Sequence, residues 1–271
     1  MTPQGLLDAV IPVRLPAPYL VEAVRSLVEQ QPAPHRIIIA AHGCADAIPA
    51  SVGPYRDVVT VIDVPAHASL ADVRNAGIDA CDCAYVALLD SDDVARPGRL
   101  AAQMSALDEQ NSAVLSASAV RLIDAGGRSV GTRYVYPFES DIRRLLITRN
   151  RIAQSSVTLR RAAFAQYRNV PLSEDYDLWL RMASSGDIAY TPSQLTDYRV
   201  HSGQLTSKRV VPPRAWLRIL ISRLALGRST HVPTWKVLAL HTLWCTYQSA
   251  RAVILAISAA GTRRPGKRAA S

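Results

Sequence analysis

Residues 87–100 read ALLDSDDVARPGRL, so an apolar run ends in three carboxylates, Asp90, Asp92 and Asp93. Like charges at that spacing repel one another unless a cation joins them. On an extended backbone residues i and i+2 point the same way, which lets Asp90 and Asp92 share a target while Ser91 faces elsewhere. Hard carboxylate oxygens suit Mg2+ or Mn2+, ions that commonly hold phosphate oxygens as well. Ser-Asp-Asp is also ordinary turn chemistry, so taken alone the tripeptide decides little.

The elements around the cluster give it a place. Short runs rich in Val, Ile and Leu alternate with helical patterns through the first half, which predicts parallel strands joined by crossover helices. Strands are expected over residues 9–13, 36–40, 58–64 and 85–89. Helices are expected over 19–30, over 69–81 with Ser69 as N-cap, and from Pro97 onward. The carboxylates then fall at the carboxyl end of the fourth strand, where open α/β sheets bind ligands. The second half reads as two strands around Ala125–Gly127, a helix over 140–148, a strand in SSVTLRR and a helix through EDYDLWLRMAS.

With 271 residues the chain can bury a full core as one α/β domain with a C-terminal appendage. Cys44, Cys81, Cys83 and Cys245 lack CxxC spacing, which indicates neither a zinc site nor a disulfide framework and fits a reducing cytosol. The N-terminus has no basic region followed by a long apolar stretch, so a signal peptide is not expected. Charge is uneven: residues 1–200 hold 19 Lys/Arg against 22 Asp/Glu, whereas residues 201–271 hold 12 Lys/Arg and no acid. That basic segment suggests two mixed apolar and basic helices, each too short in its apolar run to span a bilayer. Such helices suit an anionic membrane surface. Packing on the rest of the chain or on a second subunit, as a homo-oligomer, is the alternative, and no nucleic-acid module supports nucleic-acid binding.

The stretch DVRNAGIDACDCAYVALLDSDDVARPGRLAAQ resembles the donor-binding half of family 2 glycosyltransferases, and SEDYDLWLRMASSGDIAYTPSQLTDYRVHSGQ resembles their second half. The opening VIPVRLPAPYLVEAVRSLVEQ fits their first strand and helix, so the resemblance covers roughly residues 8–206. It implies a GT-A type fold, a Rossmann-like mixed α/β sheet flanked by helices over 1–205; composition alone adds a basic helical extension over 206–262 and a disordered tail over 263–271. It also implies an inverting, metal-dependent transfer of a sugar from a nucleoside diphosphate to an acceptor hydroxyl.

Roles follow from the same resemblance. Asp92 and His201 would bind Mn2+ or Mg2+, while Asp90, Arg74 and Pro12 would contact the donor; His42 and Asp46 are the candidate base contacts where this chain departs from the family pattern. Asp175 would act as base with Glu174 supporting it. Without the family, Ser173, Glu174 and Asp175 read as an ordinary helix start, Trp179 as core, and Asn75 as a local packing or capping residue. The family pattern is broken at the second strand, where Ala41 and His42 stand in place of an acidic pair, one of whose carboxylates reads uracil. A UDP-sugar is the first choice of donor, with TDP- or GDP-sugars as alternatives. A glycine-rich segment before Glu174 is replaced by YRNVPL.

The acceptor would be a cell-envelope glycan, a lipid-linked saccharide or a small molecule, and the location cytoplasmic or peripheral on the inner face of the membrane. Two rival classes remain. One is a binding protein or scaffold on the same fold that has lost activity. The other, a nucleotidyltransferase, ranks last because VIPVRLPAPY contains no glycine loop.

Overall fold

The computed structural model describes residues 7–137, 140–201 and 210–261. Its centre is a nine-stranded mixed sheet built from both halves of the chain. Strands β1 (Leu7–Val13), β2 (Arg36–His42), β3 (Val59–Val64) and β4 (Tyr85–Leu88) run parallel. They are joined by helices α1 (Leu20–Val28), the short α2 (Pro49–Val52) and α3 (Leu70–Asp79). The continuous apolar runs of β1 and β2 are buried on both faces, as strands covered by helices on each side must be.

The two-residue strand β5 (Val94–Ala95) follows the acidic turn, then α4 (Arg99–Glu109) and the long strand β6 (Ala113–Ile123). The remaining elements are β7 (Ser129–Arg133), α5 (Ile142–Leu146), β8 (Val157–Arg160), α6 (Glu174–Ser185) and β9 (Asp187–Arg199), then α7 (Pro213–Ser229) and α8 (Thr234–Gly261). The strand order is β3-β2-β1-β4-β8-β6-β9-β5, with β7 paired to β6. Only β8 breaks the parallel run from β3 to β9: it lies antiparallel between β4 and β6. Thus β4, β6 and β9 all point the same way, and their carboxyl ends share one edge of the sheet.

Every expected strand and helix of the first half is present, with ends moved by one or two residues. Ser69 does cap α3: its hydroxyl accepts from the Asp72 amide at 3.2 Å, and Asp72 accepts back from the Ser69 amide at 2.9 Å. Gly77, in the Arg-Asn-x-Gly segment, marks a close approach of α3 to β1. A Cβ there would lie 2.5 Å from Val10 Cγ1. The 13-residue strand β9 is the element that hydropathy did not announce, because TPSQ interrupts its apolar alternation and β6 supplies its pairing instead.

The C-terminal helices form an antiparallel hairpin, with Trp216 against Trp244 and Arg223 against His241. Their inner faces join the main core through Ile219, Leu226, Val237 and Trp244. No described helix is long and apolar enough to cross a membrane. Residues 263–271 and part of the expected extension at 206–209 lie outside the described residues.

Candidate active site

β4 ends at Leu88 and the chain turns at once, closed by the Asp93 amide donating to the Asp90 carbonyl at 3.1 Å. The Asp90 amide donates to Ser155 Oγ at 3.0 Å, and the Ser155 carbonyl accepts from Thr196 Oγ1 at 3.1 Å. Ser155 is fully buried just before β8, so β4, β8 and β9 together hold one loop.

Arg199, the last residue of β9, fixes the turn from the other side. Its amide donates to Asp93 Oδ1 at 2.8 Å, its Nε to the Asp92 carbonyl at 2.8 Å, and its Nη2 to Glu22 Oε2 at 2.6 Å. The guanidinium lies 4.1 Å from the centre of the Tyr19 ring. Two residues on, His201 brings Nε2 to 2.9 Å from Asp92 Oδ2.

The charge in this turn is poorly balanced. Burial, and then the charge of Asp90, raise Asp92 above the usual carboxylate range, with His201 opposing. Asp93 is raised further, by burial first and then by Asp92 and Asp90, and its Oδ2 has no hydrogen-bond partner. Among the described residues Asp92 pairs with His201 alone, and Asp93 with no Lys or Arg side chain. Below the turn Arg99 is fully buried, donating to the carbonyls of Leu88 at 2.8 Å and Val157 at 3.0 Å. Burial pushes its pKa down to about 9, against the pull of Asp93.

Half-buried, under-compensated carboxylates with an imidazole alongside fit a divalent cation. Among the described residues, however, no group of three or more His, Cys, Asp or Glu side chains could hold a metal unaided. Asp92 and His201 would therefore supply part of a coordination shell that phosphate oxygens and water complete, which is the usual way Mg2+ is held.

A second acidic pair opens α6. Leu172 precedes it with φ +60°, a left-handed conformation that a leucine seldom adopts. The chain thus makes a glycine-like turn where glycine itself is missing. Ser173 does not cap α6, since its hydroxyl donates to the Leu172 carbonyl instead.

Glu174 Oε1 accepts from Arg74 Nη1 at 2.8 Å, and Arg74 Nη2 reaches Asp90 Oδ1 at 3.3 Å. Arg74 thus bridges the two acidic sites. Burial works against its charge, but Asp90 and Glu174 hold its pKa above the ordinary arginine value. Its neighbour Asn75 acts at long range rather than locally. It donates to the Tyr167 carbonyl at 2.9 Å and accepts from the Tyr167 amide at 2.7 Å, tying α3 to the segment before α6.

Asp175 has no guanidinium of its own. Oδ1 accepts from the Tyr176 amide at 2.7 Å and Oδ2 from Asn150 Nδ2 at 3.0 Å. Burial, and then the charge of Glu174, push it up to about 6, with Arg74 opposing. The next residue is anchored from α7. Fully buried Arg223 donates from Nε to Tyr176 Oη at 3.0 Å and from Nη2 to the Thr148 carbonyl at 3.0 Å. Its Nη1 lies 3.2 Å from His241 Nδ1. Both groups that bond Asp175 therefore sit within two residues of an Arg223 contact. Trp179 is core, with no exposed surface.

The remaining expected donor residues are more dispersed. Pro12 is half-buried near the end of β1, opposite Ala40 of β2. His42 ends β2 with Nε2 buried and without a hydrogen-bond partner. Gly43 follows at φ +63°, where a Cβ would lie 2.5 Å from Ala66 Cβ, so the chain leaves β2 by one route only. Asp46 is exposed in the short turn Ala45–Ala47 and, among the described residues, bonds none of the others. Sequence reasoning missed Arg199, Ser155 and Asn150. Arg199 had a signal, since it stands inside the Tyr-Arg-Val-His segment that drew attention to His201. The other two had none.

Residues 8–168 match the family described as Glycosyl transferase family 2. The amylovoran biosynthesis glycosyltransferase AmsE of Erwinia amylovora is 26% identical over 197 residues, covering 70% of this chain and 74% of AmsE. The O-antigen biosynthesis glycosyltransferase WbnJ of Escherichia coli is 29% identical over 139 residues, covering 49% of this chain and 54% of WbnJ. Among solved structures, S. aureus TarS 1–349 in complex with UDP-GlcNAc superposes with a TM-score of 0.67 at 15% identity, over 87% of this chain and 72% of that one. That likeness is one of fold.

Proposed function

The chain belongs to glycosyl transferase family 2, and on that premise we propose that it moves a sugar from a nucleoside diphosphate to an acceptor hydroxyl with inversion. The observation that carries the reading is the division of labour around Arg74. Its guanidinium is committed to Glu174 and Asp90, which leaves Asp175 as the raised-pKa carboxylate able to take a proton.

In the proposed reaction the acceptor oxygen forms a bond to the anomeric carbon as the bond from that carbon to the diphosphate oxygen breaks. The acceptor proton passes to Asp175, whose two oxygens are oriented by the Tyr176 amide and Asn150. A single base opposite the leaving group gives direct displacement and inversion. Asp92 and His201 would hold Mg2+ or Mn2+, which as a Lewis acid would offset the charge of the departing diphosphate. Arg74 and Glu174 position the two halves of the site against each other. Asp90, Pro12 and His42 are assigned to the donor, with the free Nε2 of His42 facing the role an acidic residue fills elsewhere in the family. Asp46 is the outermost candidate there.

A UDP-sugar is the preferred donor, supported by the UDP-GlcNAc bound to the related TarS fold. Relatives named for amylovoran and O-antigen synthesis support a cell-envelope glycan as acceptor. An acceptor of that kind puts the enzyme at the cytoplasmic face of a membrane as a peripheral protein.

The test is a thermal-shift series with UDP, TDP, GDP and CDP, each with Mn2+, Mg2+ or chelator. A nucleotide at about 100 times its dissociation constant stabilises the fold by about 2.7 kcal/mol. A shift with one nucleotide, lost on chelation and in Asp92→Ala, is the expected result. No shift with any of them would favour an inactive scaffold on the same fold.

A further inference from the structure

Among the described residues the C-terminal hairpin buries one side and leaves large apolar side chains exposed on the other, and we infer that this outer face docks on an anionic lipid bilayer. The inference deepens the peripheral placement proposed above by naming the surface that makes the contact.

On α7 the outer positions Leu217 and Ile221 are 65% and 56% exposed, four residues apart. Arg214 and Arg218 alternate with them on the same exposed stripe. On α8 Trp235, Leu243, Tyr247 and Ile254 recur at spacings of eight, four and seven and so share a face, each at least 60% exposed. The buried positions of α8, Val237, His241, Trp244 and Gln248, occupy its opposite side. Large apolar side chains that recur along one side of a helix, as on each of these two, mark a contact site more than scattered ones do.

Charge selects the occupant. Arg214 and Arg218 lie on this face and the segment 201–271 holds no acid, so a second copy meeting the face symmetrically would set like charges against like. A nucleic acid would satisfy the arginines but offer nothing to Leu217, Ile221 or Trp235. An anionic bilayer meets both demands: headgroup phosphates for the guanidinium groups and an acyl boundary for the apolar residues. Arg168 and Arg218, with Ile221, line a recess of about 300 Å³ beside α7, which gives two guanidinium groups a common opening. The hairpin is seated on α6 through Ser222 Oγ donating to Asp177 Oδ1 at 2.7 Å, so docking would hold the catalytic body at a set orientation to the surface.

The experiment is co-sedimentation of the full chain with phosphatidylcholine vesicles, with and without phosphatidylglycerol, across a salt series. Binding is expected only with phosphatidylglycerol and should weaken as salt rises. Each of Arg214→Ala and Arg218→Ala should weaken it about fivefold, and Leu217→Asp with Ile221→Asp by about tenfold or more. Melting curves of each variant show whether the fold is intact. Equal binding to neutral vesicles, no binding by the wild type, or variants that bind unchanged would overturn the inference. So would dimers in sedimentation velocity that Leu217→Asp dissociates, or retention on duplex DNA that matches retention on anionic vesicles. Vesicle binding needs no nucleotide, so it can fail while the donor site stands, and the reverse.

Discussion

The turn at Asp90–Asp93 and the pair at Glu174–Asp175 are both acidic and, apart from fully buried Asp93, half-buried, yet the fold treats their charge differently. In the second pair one carboxylate receives a guanidinium and the other does not: Arg74 takes Glu174, and Asp175 is left to amide donors. In the turn the arginine that does the holding, Arg199, spends its Nε on the Asp92 carbonyl and its Nη2 on Glu22. The Asp92 and Asp93 carboxylates stay high in pKa. The second site thus has one carboxylate balanced by a guanidinium and one held by amide donors, whereas in the turn Asp90 meets Arg74, Asp92 meets His201 and the Asp93 carboxylate forms no ion pair among the described residues. Arg74, touching both Asp90 and Glu174, keeps them at a fixed separation.

The largest test of this contrast is Asp175→Asn, which removes the proton acceptor and keeps its shape. Turnover should fall by about 10²–10⁴-fold, with the nucleotide thermal shift unchanged. Asp92→Ala should do the opposite and abolish the metal-dependent thermal shift. Next comes Arg74→Met, which leaves half-buried Glu174 without its partner. Breaking a buried pair in this way costs about 3–5 kcal/mol, read as a lower urea midpoint. Arg223→Gln removes the bonds to Tyr176 Oη and the Thr148 carbonyl, and should destabilise by about 1–3 kcal/mol. It should also lower kcat more than KM, with Arg223→Lys recovering part of the loss. A KM effect alone would deny Arg223 a positioning role.

The pH dependence gives two smaller effects with opposite signs. Asp175 must be ionised to act, so kcat/KM should rise with pH through about 6. Asn150→Ala removes a bond that favours the ionised form and should move that limb upward. For stability, the folded state holds this proton more tightly than the unfolded chain, whose ordinary value is 3.8. Ionisation therefore costs stability, with the cost fully present above about pH 6 and gone below about pH 4. Asp175→Asn should accordingly raise the melting temperature at neutral pH, and the gain should shrink in acid.

Much of this arrangement was legible in the sequence, and the legible parts have a common reason. Parallel strands buried on both faces must be apolar throughout, so β1, β2 and β4 could be read directly, and with them the position of Asp90 and Asp92. The start of α6 was equally plain from its helical period. β9 was not, because its register is set by β6 rather than by its own alternation. Asn75 was read as local but binds Tyr167, 92 residues away. No periodicity encodes such a bond.

The outward face of the C-terminal hairpin was visible as composition, basic and apolar without acid. Which residues face the core and which face outward was settled by where α7 meets α6. By itself, then, the sequence determined which residue types stand at the ends of which strands, because burial and backbone period act locally along the chain. Only the tertiary structure decided which carboxylate Arg74 would neutralise, and hence which was left free. That choice depends on the approach of α3 to α6 across about a hundred residues of chain, and electrostatic pairing is governed by distance in space rather than in sequence.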